Sequence, residues 1–558
     1  MVTKHGKTHL FRYRQIAAVL ARHGLVFLLE AFGLTRYVPF HRVIFKKIGR
    51  PATLSPPEHL RLAFEELGPT FIKFGQILST RPDLVPPAYL VEIAKLQDQV
   101  PSVSSDKIQK VLEKEFGKPL NQVFATFDNK PLAAASIGQV HAATLPDGTK
   151  VVVKVRRPEI VSQIEEDLEI IQKMALSATR HWQSASQYDL TGIVGEFART
   201  LRQELDYIKE AHNVELFTAN FAGNPTIHIP QVYWKTTTSQ VITLQRIEGI
   251  KINDLSALDK AGVNRKALAA RAAKNFLKMI FEDGFYHADI HPGNFFVEPG
   301  GRIGLVDFGM VGRVDKKTRH QLVGLILAVV QQDTDSLVDT FLELGVARQP
   351  IKREVLKRDL SQFISRYYDA PLGELNLGNL IEEVMVIIRL HHLQLPSDLA
   401  LLLKTLVMSE GLGTQLDPTF KLTYFLQPYV KKMIQERMAV SYWLPQLGQA
   451  GLNAAQVGLD LPVQVHRLLE DLEHGNLEVG VQSQTYQPFL NRLERLVNRL
   501  VLGIVVAAFI NGLAILLAFY HPLDWLEWGN FFFTIGIIVT TCIGIYLSWV
   551  ILWSGRHR

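Results

Sequence analysis

Oxygen-bearing side chains that could bind a hard metal ion lie close together in one stretch of the chain. Residues 287–294 read HADIHPGN and residues 305–309 read LVDFG. The residues between them are strand-like on both sides of a turn at Pro299-Gly300-Gly301, which predicts a hairpin. Folding it about the two glycines pairs residues whose numbers sum to about 601. Asn294 and Asp307 satisfy that sum, so the pattern predicts an amide and a carboxylate side by side, ligands that suit Mg²⁺.

Phosphoryl transfer also needs a carboxylate near the acceptor and a cation near the phosphates. Asp289 lies just upstream of the hairpin, where it could orient an attacking hydroxyl. Lys154 belongs to a predicted strand that follows the Asp147-Gly148 hairpin signal. A predicted helix over residues 190–221 supplies acidic partners for this lysine, namely Glu204, Asp206 and Glu210. On an ideal helix residues 204 and 206 point about 200° apart, so both line one pocket only if the helix ends or distorts there.

The order of these motifs resembles the protein-kinase-like fold. In detail it resembles the UbiB (AarF-domain) family of atypical kinases, which is associated with ubiquinone biosynthesis and isoprenoid lipid handling. The resemblance extends over about residues 55–440. The residues that carry it are Lys73-Phe74-Gly75-Gln76, the alanine-rich segment 133–141, Lys154, Glu204-Leu205-Asp206, Glu210, residues 287–294 and Asp307-Phe308-Gly309.

That resemblance implies a site for ATP and Mg²⁺. It implies that Lys154 binds nucleotide phosphates and pairs with Glu210. It places Asp289 in the catalytic position, with Asn294 and Asp307 holding the metal. The nucleotide-binding residues that it implies are Ala133, Ala134, Ala135, Ser136, Ile137, Gly138, Gln139, Val140, Lys154 and Glu210.

The resemblance also implies a role for the segment before the kinase-like lobes. Lys73 would reach from that extension into the active site, as a catalytic or regulatory residue. Gln76 would accompany it, and Lys73 would meet Glu204 and Asp206. An occupied cleft of this kind argues against phosphorylation of other proteins.

Two departures from ordinary protein kinases also argue against phosphorylation of other proteins. An alanine-rich loop stands where a kinase has a glycine-rich loop, and each Cβ restricts the backbone near the phosphates. A helical pattern begins by about Lys317, soon after Gly309, which leaves no room for a long activation segment. The pattern therefore favours ATP hydrolysis, or a small or lipid-like phosphoryl acceptor.

The helix and strand patterns along the chain predict how these residues are positioned. They indicate an α+β, two-lobed, protein-kinase-like fold with a helical N-terminal extension and a C-terminal transmembrane hairpin. The predicted divisions are a basic amphipathic segment (1–54), the helical extension (55–130), the N-lobe (131–250), the helical C-lobe (251–440), a helical connector (441–497) and two transmembrane helices (498–555).

The membrane prediction depends on two runs without charged residues, 500–520 and 531–553. At about 1.5 Å per residue each reaches about 30 Å, the thickness of a bilayer's hydrocarbon core. Arginines flank both outer ends, whereas the connecting loop has only acidic charge. This bias predicts a multi-pass protein of the bacterial inner membrane with its catalytic domain in the cytoplasm. A buried helical hairpin is the alternative, and the segment 1–54 either lies on the membrane surface or packs on the body.

Composition excludes several other classes. The chain has 558 residues, a net charge of +6 and one cysteine, Cys542. It therefore has no disulfide framework and no cysteine-based zinc site, and the mild charge predicts no nucleic-acid partner. The expected partners are the lipid bilayer and isoprenoid quinone precursors or other lipids. Quinone-biosynthesis enzymes and a second copy in a homodimer are further candidates.

Other interpretations of the same residues stay open. Lys154 could be a solvated lysine, Asn294 could cap a turn, and Lys73 could extend to water. His287 and His291 around Asp289 have a spacing that could suit a metal-dependent hydrolase. For the whole chain, the alternatives are a nucleotide-binding scaffold for quinone-biosynthesis enzymes and a small-molecule or lipid kinase.

Overall fold

The computed structural model describes residues 4–34, 54–96, 101–181, 189–347, 352–367 and 375–438, and residue 535. The chain divides into two compact units, Met1–Trp443 and Leu444–Arg558, and the helices and strands named below belong to the first. The predicted connector 441–497 and, residue 535 apart, the predicted transmembrane pair 498–555 lie outside the described residues. Among the residues that are described, no helix is both long enough and apolar enough to cross a bilayer.

The first part of the chain forms helices, as the residue pattern predicts. Helix α3 begins with a capping box. The Ser55 side chain pairs with the Glu58 backbone, and the Glu58 side chain accepts the Ser55 backbone N–H. Gly68 has a φ of 95°, which side chains disfavour, so α3 ends there and α4 starts at Pro69. Gly68-Pro69 therefore separates two helices within the predicted helical extension. The helices are α1 (Lys4–Arg22), α2 (Val26–Ala31), α3 (Pro56–Leu67), α4 (Pro69–Leu78) and α5 (Pro87–Ile93).

Helix α1 packs on the body of the protein. Ile16 and Ala17 are buried in a core that also contains side chains of α3 and α4. Arg12 Nε donates to Asp167 Oδ1 at 2.7 Å, and Thr70 Oγ1 donates to the same carboxylate at 2.6 Å. Of the two interpretations of the N-terminal segment, packing on the body is therefore the one found for α1.

The small lobe is built on a five-stranded antiparallel sheet in the order β1-β3-β4-β6, with β2 paired to β3. In the β3–β4 ladder Val140 lies opposite Lys154, which confirms the hairpin predicted at Asp147-Gly148. Helices α6 (Ser105–Phe116) and α7 (Leu120–Val123) precede the sheet, and α6 packs on it. The strands are β1 (Thr126–Phe127), β2 (Ala133–Ala134), β3 (Gly138–Thr144), β4 (Lys150–Arg156) and, after β5 (Ile227–His228), β6 (Val241–Gln245).

Between β4 and β5 the chain forms α8 (Ile160–His181), α9 (Leu190–Glu204) and α10 (Tyr207–Asn220). The prediction of one helix over 190–221 is therefore wrong. The chain breaks because the side chain of Asp206 accepts the Ile208 N–H and caps a new helix. The helix therefore ends between residues 204 and 206, and Asp206 caps the next helix.

The large lobe is mainly helical, and its core is formed by buried aliphatic and aromatic side chains from most of its helices. The predicted kinase-like fold of mixed helix and sheet is confirmed. Its helices are α11 (Leu255–Lys260), α12 (Arg265–Lys278), α13 (Lys316–Gln331), α14 (Thr334–Leu344), α15 (Arg353–Arg366), α16 (Leu377–Leu390), α17 (Ser397–Leu416) and α18 (Leu422–Met438). Its short strands are β7 (Ile250–Lys251), β8 (Phe285–His287), β9 (Phe295–Val297), β10 (Ile303–Leu305), β11 (Val311–Arg313), β12 (Val346–Ala347) and β13 (Leu393–Gln394).

The hairpin of β9 and β10 forms as predicted, but its register differs by one residue. Val297 pairs with Ile303, and the Val306 N–H donates to the Asn294 carbonyl at 3.2 Å. The turn is centred on Gly300, whose φ is 80°, rather than between Gly300 and Gly301. Val306, not Asp307, therefore lies opposite Asn294, and the prediction that Asn294 and Asp307 are direct cross-strand neighbours is wrong.

Candidate active site

Lys154 lies in an acidic cluster between the two lobes. It comes from β4, Glu210 comes from the first turn of α10, and Asp307 follows β10. Lys154 Nζ lies 2.9 Å from each carboxylate oxygen of Glu210 and 3.4 Å from Asp307 Oδ2. Only 5% of the Glu210 side chain is exposed. The structure thus brings together three of the residues that the sequence assigned to nucleotide and metal binding.

The charges of this cluster depend on one another. Burial would lower the pKa of Lys154, but the carboxylates of Asp307 and Glu210 hold it well above its usual range. Burial would raise the pKa of Asp307, yet Lys154, the Gly309 N–H and Lys73 lower it to about 2. Burial raises the pKa of Glu210, which Lys154 offsets only in part. Asp307 is therefore the carboxylate that stays ionised most readily, and 43% of its side chain is exposed.

Sequence reasoning missed Tyr207, the first residue of α10. Lys154 Nζ lies 5.3 Å from the centroid of its ring, within range of a cation–π interaction. Its hydroxyl is buried against Gly138, where an added Cβ would come within 2.2 Å of the hydroxyl oxygen. Tyr207 therefore sets how closely β3 and α10 approach beside Lys154. The capping residue Asp206 was the available signal, because it marks the next residue as the start of a helix.

The loop between β8 and β9 holds Asp289 through its own neighbours. Asn294 Nδ2 donates to Asp289 Oδ2 at 2.8 Å and to the Asp289 carbonyl at 3.2 Å. His287 is buried; its Nδ1 accepts the Asp289 N–H at 3.2 Å, and its Nε2 is hydrogen-bonded to the Asp307 carbonyl. Both ring nitrogens of His287 are thus used within the protein. That bonding favours a structural role for His287 over the hydrolase-type metal site.

The donor set fits Mg²⁺. Asn294 turns its amide nitrogen toward Asp289, so its amide oxygen faces away from that carboxylate. The Oδ1 atom of Asp307 accepts the Gly309 N–H at 2.9 Å, which fixes the orientation of the carboxylate. Hard oxygen atoms from one carboxylate and one amide suit a cation that keeps several waters and binds phosphates. The predicted metal ligands Asn294 and Asp307 thus offer oxygen donors of the kind that Mg²⁺ prefers.

The alanine-rich segment is divided between surface and interior. Ala133 and Ala134 form β2, paired with Val140 and Gln139. Ala133 is exposed, and Ala134, Ala135 and Val140 are partly exposed, whereas Ser136, Ile137, Gly138 and Gln139 are buried. The Gln139 side chain accepts the Val103 N–H at 2.9 Å, and Ile137 packs into the core beneath the extension. For Ile137 and Gln139, only the backbone is left to meet a nucleotide.

The extension reaches the same site through Lys73 on α4. Lys73 Nζ lies 3.0 Å from Glu204 Oε2, at the end of α9, and both side chains are largely buried. Its charge also helps to lower the pKa of Asp307. Gln76 instead donates to the Leu96 carbonyl at 3.2 Å, and Asp206 caps α10. The structure thus brings Lys73 to Glu204 and directs Gln76 and Asp206 to other partners.

Next to this cluster lies a cavity of about 550 Å³. It is bounded by α4, α9, the start of α10, the segment after Asp307 and the start of α17. Its walls are mixed, with exposed basic side chains among the lining residues. Apolar lining comes from Phe74, Phe197, Met310 and Leu401, and basic lining from Lys209 and Arg313.

Comparisons with known proteins show which families this chain is similar to. Three family models match: the ABC1 atypical kinase-like domain over residues 95–341, the UbiB helical domain over 360–421, and the ABC1/UbiB kinase-like C-terminal domain over 484–553. A solved structure, the complex of Rv3197 with erythromycin from Mycobacterium tuberculosis, has 25% identity and a TM-score of 0.45 over 62% of this chain and 87% of that chain.

Two relatives are similar over almost the whole chain. "Probable protein kinase UbiB" of Xanthomonas campestris pv. campestris (strain B100) is 32% identical over 534 residues, 92% of this chain and 95% of that protein. The protein of the same name from Xylella fastidiosa (strain 9a5c) is 32% identical over 550 residues, 97% of this chain and 99% of that protein. The chain therefore belongs to the UbiB family of ABC1 atypical kinase-like proteins.

Proposed function

We propose that this chain is a membrane-anchored, kinase-like ATPase that binds Mg-ATP and supports isoprenoid quinone biosynthesis at the bacterial inner membrane. The observation that carries the ATP-binding part is the contact of Lys154 with Glu210 and Asp307. Family membership supports the link to quinones. The uncharged runs 500–520 and 531–553 support the membrane anchor.

In the proposed reaction each residue of the cluster has one task. Lys154, held by Glu210, binds phosphate oxygens. Asp289, held by Asn294, accepts the proton of the attacking hydroxyl or water. Asn294 and Asp307 would hold Mg²⁺, which would supply positive charge to neutralise the phosphates. These tasks orient the reactants and stabilise charge, which is most of what a phosphoryl-transfer enzyme must do.

The segment after Gly309 favours a small acceptor over a protein. Strand β11 starts at Val311 and pairs at once with β8, and α13 begins at Lys316. A peptide-docking platform has no place in so short a connection. The neighbouring cavity instead has apolar walls together with basic and acidic side chains, which suit water or a small amphiphilic acceptor. If an acceptor is phosphorylated, mass spectrometry of lipid extracts will show a product that disappears in the Asp289→Ala variant.

Calorimetry of Mg-ATP binding to the full-length protein in detergent tests the central claim. We expect Lys154→Met to weaken binding at least about tenfold, which corresponds to about 1.4 kcal/mol. Asp307→Asn should remove the dependence on magnesium. Lys150→Met is the matched control, because Lys150 lies on the same strand with 65% of its side chain exposed, and it should bind as wild type does. Absence of magnesium-dependent binding by the wild type would overturn the proposal.

A second function, a non-catalytic nucleotide-binding scaffold, is favoured by one observation. Lys73 enters the site from the extension and pairs with Glu204, so part of the cleft is filled by the chain itself. The two functions differ in their need for Asp289. Cells that carry Asp289→Ala should lose quinone if the ATPase function is correct. Normal quinone levels, with Mg-ATP binding intact in the purified variant, would establish the scaffold instead.

A further inference from the structure

Another cavity lies within the large lobe, and its walls are apolar. It has a volume of about 160 Å³ and is bounded by helices α13 to α18. Apart from Gly345 and Thr423, the described residues that line it are leucine, isoleucine, valine and phenylalanine. The Thr423 hydroxyl donates to the Leu375 carbonyl at 2.7 Å, so its polar atom is already bonded. The described walls therefore offer a ligand neither charge nor a free side-chain hydrogen-bonding group.

The cavity is open on one side. Ile326 on α13 and Val384 on α16 line it and are partly exposed. Leu337 on α14 and Ile388 on α16 also line it, but each is only 1% exposed. The cavity thus leads from the surface between α13 and α16 into the core. Protein interiors are normally packed as densely as organic crystals, so an open apolar space of this size points to a ligand.

The size and walls of the cavity limit what it can hold. An engineered protein cavity of about 150 Å³ with similar walls stays free of water and binds benzene. About six carbon atoms of a hydrocarbon chain therefore fit, whereas a polar or charged group would lose its hydration without gaining a partner. A source of such chains is available, because the uncharged runs 500–520 and 531–553 are long enough to span a bilayer.

The position of the cavity connects it to the active site. Helix α17 lines both cavities: Leu399 and Leu403 face the apolar cavity, and Leu401 lines the larger cavity beside the Lys154 cluster. The walls also come from two family domains. Helix α13 lies within the ABC1 kinase-like match, and α16 lies within the UbiB helical match. Ligand sites occur preferentially where domains meet.

We propose that this cavity binds the end of a lipid's hydrocarbon chain and leaves the polar head group outside. The chain enters between α13 and α16 and packs against α17. Prenyl chains and fatty acyl chains share this chemistry. The site goes beyond the proposed ATPase function and does not rest on it. None of Lys154, Glu210, Asp289, Asn294 and Asp307 is among the described residues that line the cavity.

Photo-crosslinking tests the site in the full-length protein reconstituted in phosphatidylcholine nanodiscs. The probes are a farnesol and a hexadecanol, each with a diazirine at the end of its chain. Wild type should give crosslinked peptides from α13 and α16 with at least one probe. Labelling by farnesol alone identifies a prenyl chain, labelling by hexadecanol alone identifies an acyl chain, and labelling by both identifies a site that accepts either. An excess of the unlabelled alcohol should suppress the labelling roughly fivefold by mass action.

A pair of variants on one helix locates the site. Val384→Phe fills the cavity from α16 and should reduce the labelling about fivefold by steric exclusion. Val386→Phe is the matched control, because Val386 lies on the same helix with 55% of the residue exposed and should be labelled as wild type is. Ile326→Phe fills the cavity from α13 and replaces Val384→Phe if that variant does not fold.

Three results would overturn the proposal. One is the absence of crosslinks to α13 and α16 in wild type. The second is labelling that the unlabelled alcohol does not suppress, and the third is wild-type labelling of a folded variant whose cavity is filled. Failure of the wild type to bind Mg-ATP would overturn only the ATPase function, because the crosslinks form without nucleotide.

Discussion

At the scale of single residues, the paired charges around Lys154 determine both stability and binding. Glu210 is nearly buried and holds Lys154 through both of its oxygens at 2.9 Å. In Glu210→Gln that charge is lost and Asp307 becomes the remaining carboxylate near the lysine. We expect the free energy of unfolding to fall by about 2 kcal/mol, less than for a pair left wholly uncompensated. Mg-ATP binding should also weaken, because Asp307 is then drawn toward Lys154. Denaturant unfolding and calorimetry measure the two effects.

The same strand provides the control for that prediction. Lys150 and Glu248 form an ion pair at 3.1 Å, with 65% and 56% of their side chains exposed. Water and salt screen such pairs, so Glu248→Gln should leave stability and nucleotide binding unchanged. If Glu248→Gln and Glu210→Gln lost equal amounts of stability and of nucleotide binding, the losses would arise from β4 in general and not from the site.

At the scale of elements, the approach of β3 to α10 sets the geometry beside Lys154. A Cβ on Gly138 would lie 2.2 Å from the Tyr207 hydroxyl oxygen and 2.9 Å from the Val155 carbonyl oxygen. We expect Gly138→Ala to lower the free energy of unfolding by about 2 kcal/mol, as overpacking does. It should also weaken nucleotide binding, because the ring beneath Lys154 must move. Thermal unfolding and calorimetry measure both.

Two further variants identify the cause. Tyr207→Phe in the Gly138→Ala background removes the hydroxyl and should restore part of the lost stability. Gly195 lies in α9 with no atom within 4 Å of an added Cβ, so Gly195→Ala should stabilise slightly through helix propensity. If Gly138→Ala is as stable as wild type, β3 does not approach Tyr207 closely enough for an added Cβ to clash.

The buried histidine of β3 makes stability depend on pH. His141 bonds to Gln139 and to the Asp128 carbonyl, and burial lowers its pKa below 6.5. The unfolded chain therefore binds a proton near pH 6.5 that the folded chain does not. Stability is full above that pH and falls, by at most about 1.4 kcal/mol per pH unit, as the pH drops below it. Urea unfolding at pH 7.5, 6.5 and 5.5 should show a steeper loss for wild type than for His141→Gln, and parallel curves would contradict this.

Helices and hairpins that are marked by neighbouring residues could be predicted from the sequence, whereas the packing of these elements against one another could not. Residues close together in the sequence carry the signals for three features: the capping box at Ser55, the break at Gly68 and the hairpin at Asp147-Gly148. The one-residue register difference at Asn294 depended on which glycine centres the turn. The contact of Lys404 Nζ with Ser79 Oγ at 3.0 Å carried no signal in the sequence, since it joins two helices that are far apart along the chain. Long-range packing of this kind is not encoded in residue spacing.

At the scale of the whole described body, the extension is attached to both lobes. Arg12 and Thr70 bind Asp167 on α8, beside the small lobe. At the other end of α4, Arg81 pairs with buried Asp83 at 2.7 Å and 2.9 Å. Arg81 also donates to the Leu395 carbonyl at 3.1 Å in the large lobe. The helix that carries Lys73 therefore spans the cleft, and its two attachments should limit how far the lobes separate.

Weakening the large-lobe attachment should consequently speed nucleotide release. Arg81→Lys keeps the charge but cannot reproduce the planar, two-pronged contact with Asp83 while also reaching Leu395. We expect release of a fluorescent ADP analogue, measured by stopped flow, to accelerate several-fold. Arg61→Lys is the control, because Arg61 contacts Glu65 and Glu92 within the extension and should leave release unchanged. Equal release rates for wild type and Arg81→Lys would mean that the lobes open without disturbing this attachment, so that the extension does not restrain the cleft.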